Sequence, residues 1–310
     1  MSSALRPSFT VIIPTYNRAE FIRDTLESVF AQVYTNYEII VVDNCSTDNT
    51  AEVLDPYINE RRIRFFRNDR NRERAYSRNV GLENAQSDYV TFLDSDDLMY
   101  PENLSDAADF ALRHPELKLF HNRYELRDRS GKVIYQYKLP SLAKPLRAIS
   151  NGNFMGCIGN FLHRDIYTVY RFDPSEDLTG SEDWDFWIQL IGENKIGRIE
   201  KVNSGIVQHA ERSINTQDVT AMARGLKYMV TKIRSSEKLS RIYAEYLDRI
   251  ESNCFLYLNL LSNDAHDWRH GWKYLLRATQ VDGSVVLTAR FLRSLRRTLM
   301  VMARTPKKGF

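Results

Sequence analysis

The sequence has no long apolar segment and few cysteines. Its apolar runs, such as those at 11–13, 39–42 and 299–303, are far shorter than the ~20 residues that a membrane-spanning helix needs. Residues 1–14 lack the layout of a secretory signal peptide. The three cysteines, at positions 45, 157 and 254, form no Cys-x-x-Cys pair, which argues against a disulfide framework and a zinc site. We therefore expect a protein of the reducing cytoplasm.

Two common signatures of nucleotide binding are also missing. No G-x-G-x-x-G follows the first predicted strand and no G-x-x-x-x-G-K-[ST] occurs, so the dinucleotide-binding and P-loop classes lack support. The composition, with 43% apolar and 27% charged residues, is that of an ordinary folded protein and excludes a fibrous or low-complexity chain. A nucleotide would have to be held in another way.

Basic residues are concentrated near the C-terminus. Residues 290–310 contain seven Lys and Arg and no acidic residue, and removing those seven from the total of 43 leaves 36 basic against 40 acidic residues. A slightly acidic body is a poor match for nonspecific nucleic-acid binding, which depends on neutralising many phosphates. We expect no nucleic-acid partner.

The apolar pattern of the first 120 residues alternates between short β-branched runs and helical periodicity. This alternation predicts an α/β fold with a mostly parallel sheet covered by helices on both faces. The predicted strands are 9–13, 39–42, 63–66 and 89–93, and the predicted helices begin near 21, 50, 75 and 101.

The rest of the chain changes character twice. A hairpin is predicted from 117–126 and 133–137, an irregular region from 140–181, a helix over 183–191 and a strand over 196–199. Beyond about 215 the pattern is helical. We predict a catalytic domain over 1–212, with a nucleotide half at 1–100 and an acceptor half at 101–212, followed by a helical region over 213–310.

Three of the predicted strands end in polar sequences, which an open parallel sheet brings to one edge. The third carries Asp94, Asp96 and Asp97, a density of carboxylates that is costly unless a cation offsets it. The alternative is an acidic cap for the following helix. Oxygen ligands of this kind favour Mg²⁺ or Mn²⁺, usually together with a substrate diphosphate.

Four segments together resemble glycosyltransferase family 2. The resemblance implies a GT-A fold, an inverting mechanism, a nucleoside-diphosphate sugar donor, a divalent cation, and a glycan or lipid-linked glycan acceptor. The segments are 8–18 (Ser-Phe-Thr-Val-Ile-Ile-Pro-Thr-Tyr-Asn-Arg), 39–48 (Ile-Ile-Val-Val-Asp-Asn-Cys-Ser-Thr-Asp), 75–82 (Ala-Tyr-Ser-Arg-Asn-Val-Gly-Leu) and 92–97 (Phe-Leu-Asp-Ser-Asp-Asp).

The same resemblance implies roles for individual residues. Those expected to bind the nucleotide sugar are Pro14, Thr15, Tyr16, Asn17, Asp43, Asn44, Arg78, Asp94 and Asp96, with Asp43 and Asn44 facing the base and ribose. Those expected at the metal are Asp96, Asp97 and His209.

The second motif departs from the family pattern. Asp43-Asn44-Cys45-Ser46 stands where the family commonly has Asp-Asp-Gly-Ser. The Asn44 amide can accept a hydrogen bond from a pyrimidine N3 and can also donate one, so UDP and dTDP donors both stay open. We expect a UDP-sugar as the favoured donor. Cys45 replaces a glycine, which raises the question of how the turn is formed.

A second acidic motif lies at 181–187, where Glu182-Asp183 resembles the element that supplies the family's catalytic base. The structural alternative is that these acidic residues only stabilise the first turn of a helix, where the helix dipole favours negative charge. A helical projection directs Asp183 inward, and we therefore predict that Asp183 is the base, with Glu182 as the rival. Trp184 and Trp187 could stack on acceptor sugars or belong to the core.

The C-terminal stretch 285–310 alternates apolar residues with arginines at helical spacing. Basic amphipathic helices of this type bind anionic membrane surfaces, and the equal alternative is a helix packed on the catalytic domain. The membrane interpretation would place the protein at the cytoplasmic face of a membrane.

Two other functions stay open. One is a noncatalytic protein that binds nucleotide sugars or glycans. The other is a sugar nucleotidyltransferase, which would carry a Gly-rich basic loop where this chain has Pro-Thr-Tyr-Asn-Arg.

Overall fold

The computed structural model describes residues 6–210, 212 and 218–304, and the structural statements below refer to these residues. Within them, nine strands form one sheet: β1 (Phe9–Thr15), β2 (Tyr37–Asp43), β3 (Arg64–Arg67), β4 (Tyr89–Phe92), β5 (Leu98–Met99), β6 (Leu119–Arg127), β7 (Val133–Gln136), β8 (Asn160–His163) and β9 (Ile196–Val207).

Twelve α-helices surround the sheet in the same part of the chain. They are α1 (Ile22–Phe30), α2 (Thr50–Asn59), α3 (Arg74–Asn84), α4 (Asn103–Arg113), α5 (Pro145–Ser150), α6 (Arg164–Tyr167), α7 (Glu182–Glu193), α8 (Val219–Ser235), α9 (Glu237–Ile242), α10 (Leu247–Asp264), α11 (Trp268–Val281) and α12 (Ala289–Arg304).

The sheet is mixed. Its strand order is β3-β2-β1-β4-β8-β6-β9-β5, and β7 pairs with β6 outside this path. Strands β1 to β4 pair in parallel, as do β6 and β9, whereas β8 is antiparallel to both of its neighbours. The predicted α/β class is therefore confirmed, with antiparallel pairs in the second half of the sheet.

Hydrophobic clusters cover both faces of the sheet. Along β1, Val11 and Ile13 point to one cluster and Ile12 to the other, as the two-residue period of a strand requires. Helix α3 packs closely on the Ile12 side because Gly81 faces it: a Cβ at Gly81 would lie 2.3 Å from Ile12 Cγ2. All seven residues of β1 are buried, which explains their nearly continuous apolar sequence.

The helical region beyond residue 218 shares a core with the sheet. Met222 and Met229 of α8 and Leu258 of α10 belong to the same buried cluster as Phe92 of β4 and Trp187 of α7. Apolar burial contributes about 25 cal/mol per Å² to stability, so this cluster ties the helices to the sheet. The division of the chain near residue 212 stays a prediction.

Two regions of the acceptor half differ from the sequence prediction. The region 140–181, predicted to be irregular, contains α5, α6 and the strand β8. The strand predicted over 196–199 continues to Val207 and pairs with most of β6. Both lie in the acceptor half, where polar residues interrupt the apolar pattern.

None of the described helices is both long enough and apolar enough to cross a membrane.

Candidate active site

Three loops meet at the carboxyl edge of the parallel strands. The register pairs Thr15, the last residue of β1, with Asp43, the last residue of β2, and β4 lies on the other side of β1. The backbone pairing continues one residue further, since Asn44 N donates to the Thr15 carbonyl at 2.8 Å. This edge is where open α/β sheets bind their ligands.

The loops enclose a cavity of 360 Å³, which we call the first cleft. Five arginines and three carboxylates line it, so its walls carry a net positive charge. Arginine binds phosphate oxygens through paired N–H donors, and this cavity therefore suits a diphosphate. Seven residues predicted to bind the nucleotide line the first cleft: Pro14, Thr15, Tyr16, Asn44, Arg78, Asp94 and Asp96.

The loop after β1 presents an aromatic ring to the first cleft. Tyr16 is 38% exposed, a large fraction for a tyrosine in a cavity wall. Asn17 follows in the left-handed conformation with φ 50°, and its Oδ1 accepts a hydrogen bond from Thr47 N at 2.8 Å. Asn17 thus fastens the first loop to the second and does not line the cavity.

Asp43 lies beneath the cavity wall. It is fully buried, its Oδ1 accepts a hydrogen bond from Ser46 N at 3.0 Å, and its Oδ2 lies 3.4 Å from Arg67 Nε. These contacts hold a turn in which Cys45 has φ 64°. Cys45 therefore adopts the left-handed conformation that a glycine would favour, which answers the question raised by the Asp-Asn-Cys-Ser sequence.

Asn44 supports the cavity wall with all four hydrogen-bonding positions of its amide. Its oxygen accepts from Asn68 Nδ2 at 2.8 Å and from Arg72 N at 3.0 Å. Its nitrogen donates to Asn71 Oδ1 at 2.8 Å and to the Arg72 carbonyl. A carboxamide has no capacity beyond these bonds, so in this arrangement Asn44 positions the 68–72 segment and has no donor or acceptor left for a base.

The acidic loop after β4 separates its carboxylates. Asp96 Oδ2 lies 3.0 Å from His209 Nε2 and 3.2 Å from Arg18 Nε, at the edge of the first cleft. Asp97 is only 1% exposed, and its Oδ1 accepts hydrogen bonds from Arg212 at 2.9 Å and from Val207 N at 3.0 Å. Burial raises the pKa of Asp97 to about 8.

No cluster of three or more His, Cys, Asp and Glu side chains arranged to hold a metal ion occurs within 6–210, 212 and 218–304. The two metal candidates that the structure brings into contact are Asp96 and His209. Asp97 instead pairs with Arg212.

Arg78 of α3 joins the nucleotide motifs to the second acidic motif. Its side chain is 2% exposed, with Nη2 3.1 Å from Asp94 Oδ1 and Nη1 3.1 Å from Glu182 Oε1. Arg74, one helical turn earlier, lies 3.5 Å from the same Glu182 oxygen. The buried Glu182 is thus held between two guanidinium groups.

A larger cavity of 780 Å³, which we call the second cleft, adjoins the first. The two clefts share four lining residues, and the second runs from these to α10 and α12. The two clefts therefore lie side by side along these shared residues. The shared residues are Arg74, Arg78, Asp94 and Arg212.

Asp183 lies in the wall of the second cleft. It is half-buried, and its Oδ1 accepts a hydrogen bond from Trp184 N at 2.7 Å. Desolvation raises the pKa of Asp183 to about 7, the neighbouring negative charge of Glu182 adds to the shift, and Arg78 opposes it. A carboxyl group poised near neutral pH in a cleft is suited to general-base chemistry.

The other residues of this motif have structural contacts. Asp185 is buried and pairs with Lys232 of α8 at 2.7 Å. Trp187 is fully buried, packs against Phe186 and Phe172, and does not line the second cleft. Trp184 does line it, although the residue is only 5% exposed. Both tryptophans belong to the buried core, and Trp184 also borders the second cleft.

Several cleft residues were not singled out as site residues from the sequence. Arg74 precedes Arg78 by one helical turn, so the i, i+4 pair on a predicted helix was an available signal. Nothing local identifies the others, because distant parts of the chain bring them to the second cleft: Tyr124, Tyr137, Arg212, Tyr257 and Arg290.

Comparison with known proteins assigns the family. Residues 10–178 match the family model described as glycosyl transferase family 2. This match covers more than half of the chain, and the protein belongs to glycosyltransferase family 2, a family of sugar-transferring enzymes. An uncharacterised glycosyltransferase from Rickettsia felis is 30% identical over 206 residues, which cover 62% of this chain. The match spans 31% of that longer relative.

Solved structures are similar over almost the whole chain. Staphylococcus aureus TarS 1–349, in complex with UDP-GlcNAc, has a TM-score of 0.66 at 21% identity, covering 95% of this chain and 89% of that one. The mannosyltransferase PcManGT from Pyrobaculum calidifontis, in complex with GDP-Man and Mn²⁺, has a TM-score of 0.60 at 15% identity, covering 97% and 86%. The predicted GT-A fold is confirmed.

Proposed function

We propose that the protein transfers a sugar, with inversion, from a UDP-sugar to a hydroxyl group of a glycan acceptor. The observation that carries this proposal is the continuity of the two clefts. The arginine-lined first cleft suits a diphosphate, and the second cleft, joined to it through Arg78 and Asp94, holds Asp183 with its pKa raised to about 7.

The first cleft binds the nucleotide in this proposal. Tyr16 offers an exposed ring on which a base can stack, and the arginines neutralise the diphosphate. UDP is favoured because TarS, which has the same fold, was solved with UDP-GlcNAc. A dTDP-sugar stays open, since stacking does not distinguish uracil from thymine.

The donor set at Asp96 and His209 fits Mn²⁺ or Mg²⁺. Such a cation commonly takes one or two protein ligands and completes its shell with substrate phosphates and water. The PcManGT complex contains Mn²⁺ on the same fold. When bound, the cation would neutralise negative charge on the departing diphosphate. Asp97 is left out of the proposed ligand set because its carboxylate pairs with Arg212.

Asp183 acts as the general base in the second cleft. Its carboxylate accepts the proton of the acceptor hydroxyl as that oxygen attacks the anomeric carbon from the side opposite the diphosphate, which inverts the configuration. Glu182 has a positioning role, since its carboxylate is held by Arg78 and Arg74. One base is enough for this chemistry.

Release of UDP from UDP-sugars tests the function. The enzyme should liberate UDP slowly from at least one UDP-sugar alone, and faster when a glycan acceptor is added. A folded protein that binds UDP-sugars but never releases UDP would be a noncatalytic binding protein, and the proposal would fail.

UDP binding should depend on a divalent cation. In calorimetric titrations, we expect UDP affinity to fall by at least about tenfold, or ~1.4 kcal/mol, when Mn²⁺ is replaced by EDTA. Asp96→Asn should remove most of this dependence because it weakens one proposed ligand. Asp109→Asn, an exposed change on α4, is the matched control. Equal affinity in Mn²⁺ and EDTA would eliminate the cation from the mechanism.

Helix α12 is compatible with both alternatives for the C-terminal stretch, packing on the protein and binding to a membrane. One face packs on the protein: Phe291 and Leu295 contact the cluster around Leu256, and the buried Thr298 accepts a hydrogen bond from Asn259 Nδ2 at 2.9 Å. The remaining surface of the helix exposes apolar side chains beside arginines, which suits an anionic membrane surface. The exposed apolar residues are Leu292, Leu299, Met300 and Met302. Lys307 and Lys308 lie outside the described residues.

The exposed face of α12 should bind vesicles that contain anionic lipid. Each fully buried leucine contributes about 1.5–3 kcal/mol, so the double variant Leu292→Ser/Leu299→Ser should lower vesicle binding at least about tenfold. Salt should lower wild-type binding by screening the arginines. Leu112→Ser, 42% exposed on α4, is the matched control. Unchanged binding by the double variant would refute a membrane role for this face.

A further inference from the structure

Arg290 lies in the first turn of α12, and its guanidinium lines the second cleft. The first turn of a helix carries partial positive charge, so a cation there is unfavourable unless something compensates for it. Burial lowers the pKa of Arg290, and the positive charge of Arg293 adds to this shift.

The partners of Arg290 are neutral. Its Nη1 donates to the Asn151 carbonyl and to Asn253 Oδ1, the latter at 3.1 Å. No carboxylate forms an ion pair with it in the described part of the chain. A guanidinium has five N–H donors, and both of these bonds use Nη1. The Nε and Nη2 donors, which together bind a carboxylate or phosphate in parallel, are left for a ligand.

The surrounding residues hold the guanidinium in one place. Asn253 Nδ2 donates to the Ser150 and Arg249 carbonyls, which orients its oxygen toward Arg290. Gly152 has φ 142°, and a Cβ at this position would lie 2.8 Å from Arg290 Nη1. The backbone conformation therefore favours glycine here, and the absence of a Cβ leaves room for the guanidinium. Such a fixed group binds without first losing rotamer freedom.

The other arginines that line the second cleft are paired with carboxylates. Arg74 and Arg78 contact Glu182, and Arg212 contacts Asp97. Among the described ionised groups lining this cleft, Arg290 is then the one arginine without a carboxylate partner.

Arg290 and Asp183 share the second cleft with Tyr257. Burial raises the pKa of Tyr257, the negative charge of Asp183 adds to this shift, and the positive charge of Arg290 opposes it. All three residues line the second cleft. An acceptor could thus place a hydroxyl at Asp183 and a negatively charged group at Arg290.

We propose that Arg290 forms an anion subsite in the second cleft and that the acceptor carries a phosphate group which this subsite binds. The proposal rests on the sugar transfer described above and names the acceptor class. A phosphate is favoured over a neutral sugar because a negative charge compensates a partly buried guanidinium better than a neutral acceptor does. The phosphate could belong to a sugar phosphate linked to lipid or to a phosphodiester polymer.

The test measures acceptor binding with the first cleft already filled. With UDP and Mn²⁺ saturating, wild-type protein is titrated with N-acetylglucosamine 1-phosphate and, separately, with neutral methyl N-acetylglucosaminide. We expect the phosphate to bind at least about tenfold more tightly, and Arg290→Gln to remove that preference. Arg293→Gln, an exposed arginine on the same helix, should keep it.

Equal affinity of the wild-type protein for the phosphate and the neutral sugar overturns the proposal, and this comparison needs no variant. If Arg290→Gln loses stability, Arg290→Lys keeps the positive charge and should retain part of the preference for the phosphate over the neutral sugar. Complete loss of that preference in an Arg290→Lys protein that binds UDP normally would also contradict the proposal. Failure of UDP to bind any of these proteins would instead contradict the proposed transferase function.

Two acceptors distinguish the two possible sources of the phosphate. UDP release is measured with two acceptors, a lipid-linked sugar phosphate in vesicles and a soluble phosphodiester polyol. The acceptor that recognises Arg290 should stimulate UDP release less in Arg290→Gln than in the wild type, and equally well in Arg293→Gln. That acceptor identifies the source of the phosphate. The subsite proposal would be overturned if neither acceptor stimulated UDP release and a neutral glycan stimulated it equally in both variants.

Discussion

Asp183→Asn is expected to lower turnover by ~10²–10⁴ while UDP affinity stays close to that of the wild type. The substitution keeps the shape of the side chain and removes the proton acceptor. Asp183 lines the second cleft and not the first, which is why nucleotide binding should not change. Steady-state rates and UDP titrations on the same preparations make the comparison.

The controls for this prediction come from the same region. Asp177→Asn makes the same chemical change at an exposed position six residues earlier and should leave turnover unchanged. Glu182→Gln is the rival. If Glu182→Gln abolishes turnover and Asp183→Asn does not, then Glu182 is the base and the contacts with Arg78 and Arg74 serve to activate it.

The same carboxyl group predicts the pH dependence. As a base, Asp183 must be ionised, so kcat/KM should rise with pH through about 7. Its raised pKa also means that the folded state holds the proton more tightly than the unfolded chain. This contribution to stability is present below the ordinary carboxyl pKa and is lost as pH rises toward 7. Asp183→Asn should therefore raise thermal stability above neutral pH while it lowers turnover.

Arg78→Met should have the largest effect on stability. It removes the guanidinium between Glu182 and Asp94 and leaves a buried carboxylate with weaker compensation. Removing one partner of a buried ion pair typically costs about 3–5 kcal/mol, and the low end is expected because Arg74 lies 3.5 Å from Glu182. Chemical denaturation measures the loss.

A second readout separates Arg78 from a merely structural residue. Arg78 lowers the pKa of Asp183, so residual activity in Arg78→Met should require higher pH than in the wild type. Arg241→Met, which breaks an exposed ion pair with Glu237, should change neither the unfolding free energy nor the pH profile appreciably. An Arg78→Met protein with unchanged stability and pH profile would contradict this electrostatic account.

The nucleotide half was predictable from the sequence because its signals are local. Strands such as β1 and β2 are buried on both faces and appear as continuous apolar runs, and the polar residues that follow them mark the carboxyl edge. The acceptor half was harder. β8 has four residues in a region rich in Pro, Gly and Asn, yet it lies between β4 and β6 and joins the two halves of the sheet.

The roles of site residues were likewise predictable where the signal is local and not predictable where it depends on distant parts of the chain. The sequence predicted Asp183 because its motif is contiguous. It did not predict that the Asn44 amide would form all of its hydrogen bonds with Asn68, Asn71 and Arg72, because that network depends on how a distant loop folds back. Arg290 is further still from the motifs, and only the packing of α12 brings it to the second cleft.

The stereochemistry of transfer tests the central claim most directly. Proton NMR during the first turnovers of an α-linked UDP-sugar reports the anomeric configuration of the sugar delivered to acceptor or water. A single base at Asp183 and direct attack opposite the diphosphate predict a β product from the wild-type protein and from Asp177→Asn, and almost none from Asp183→Asn. An α product, or a β product formed at the wild-type rate by Asp183→Asn, would contradict the account.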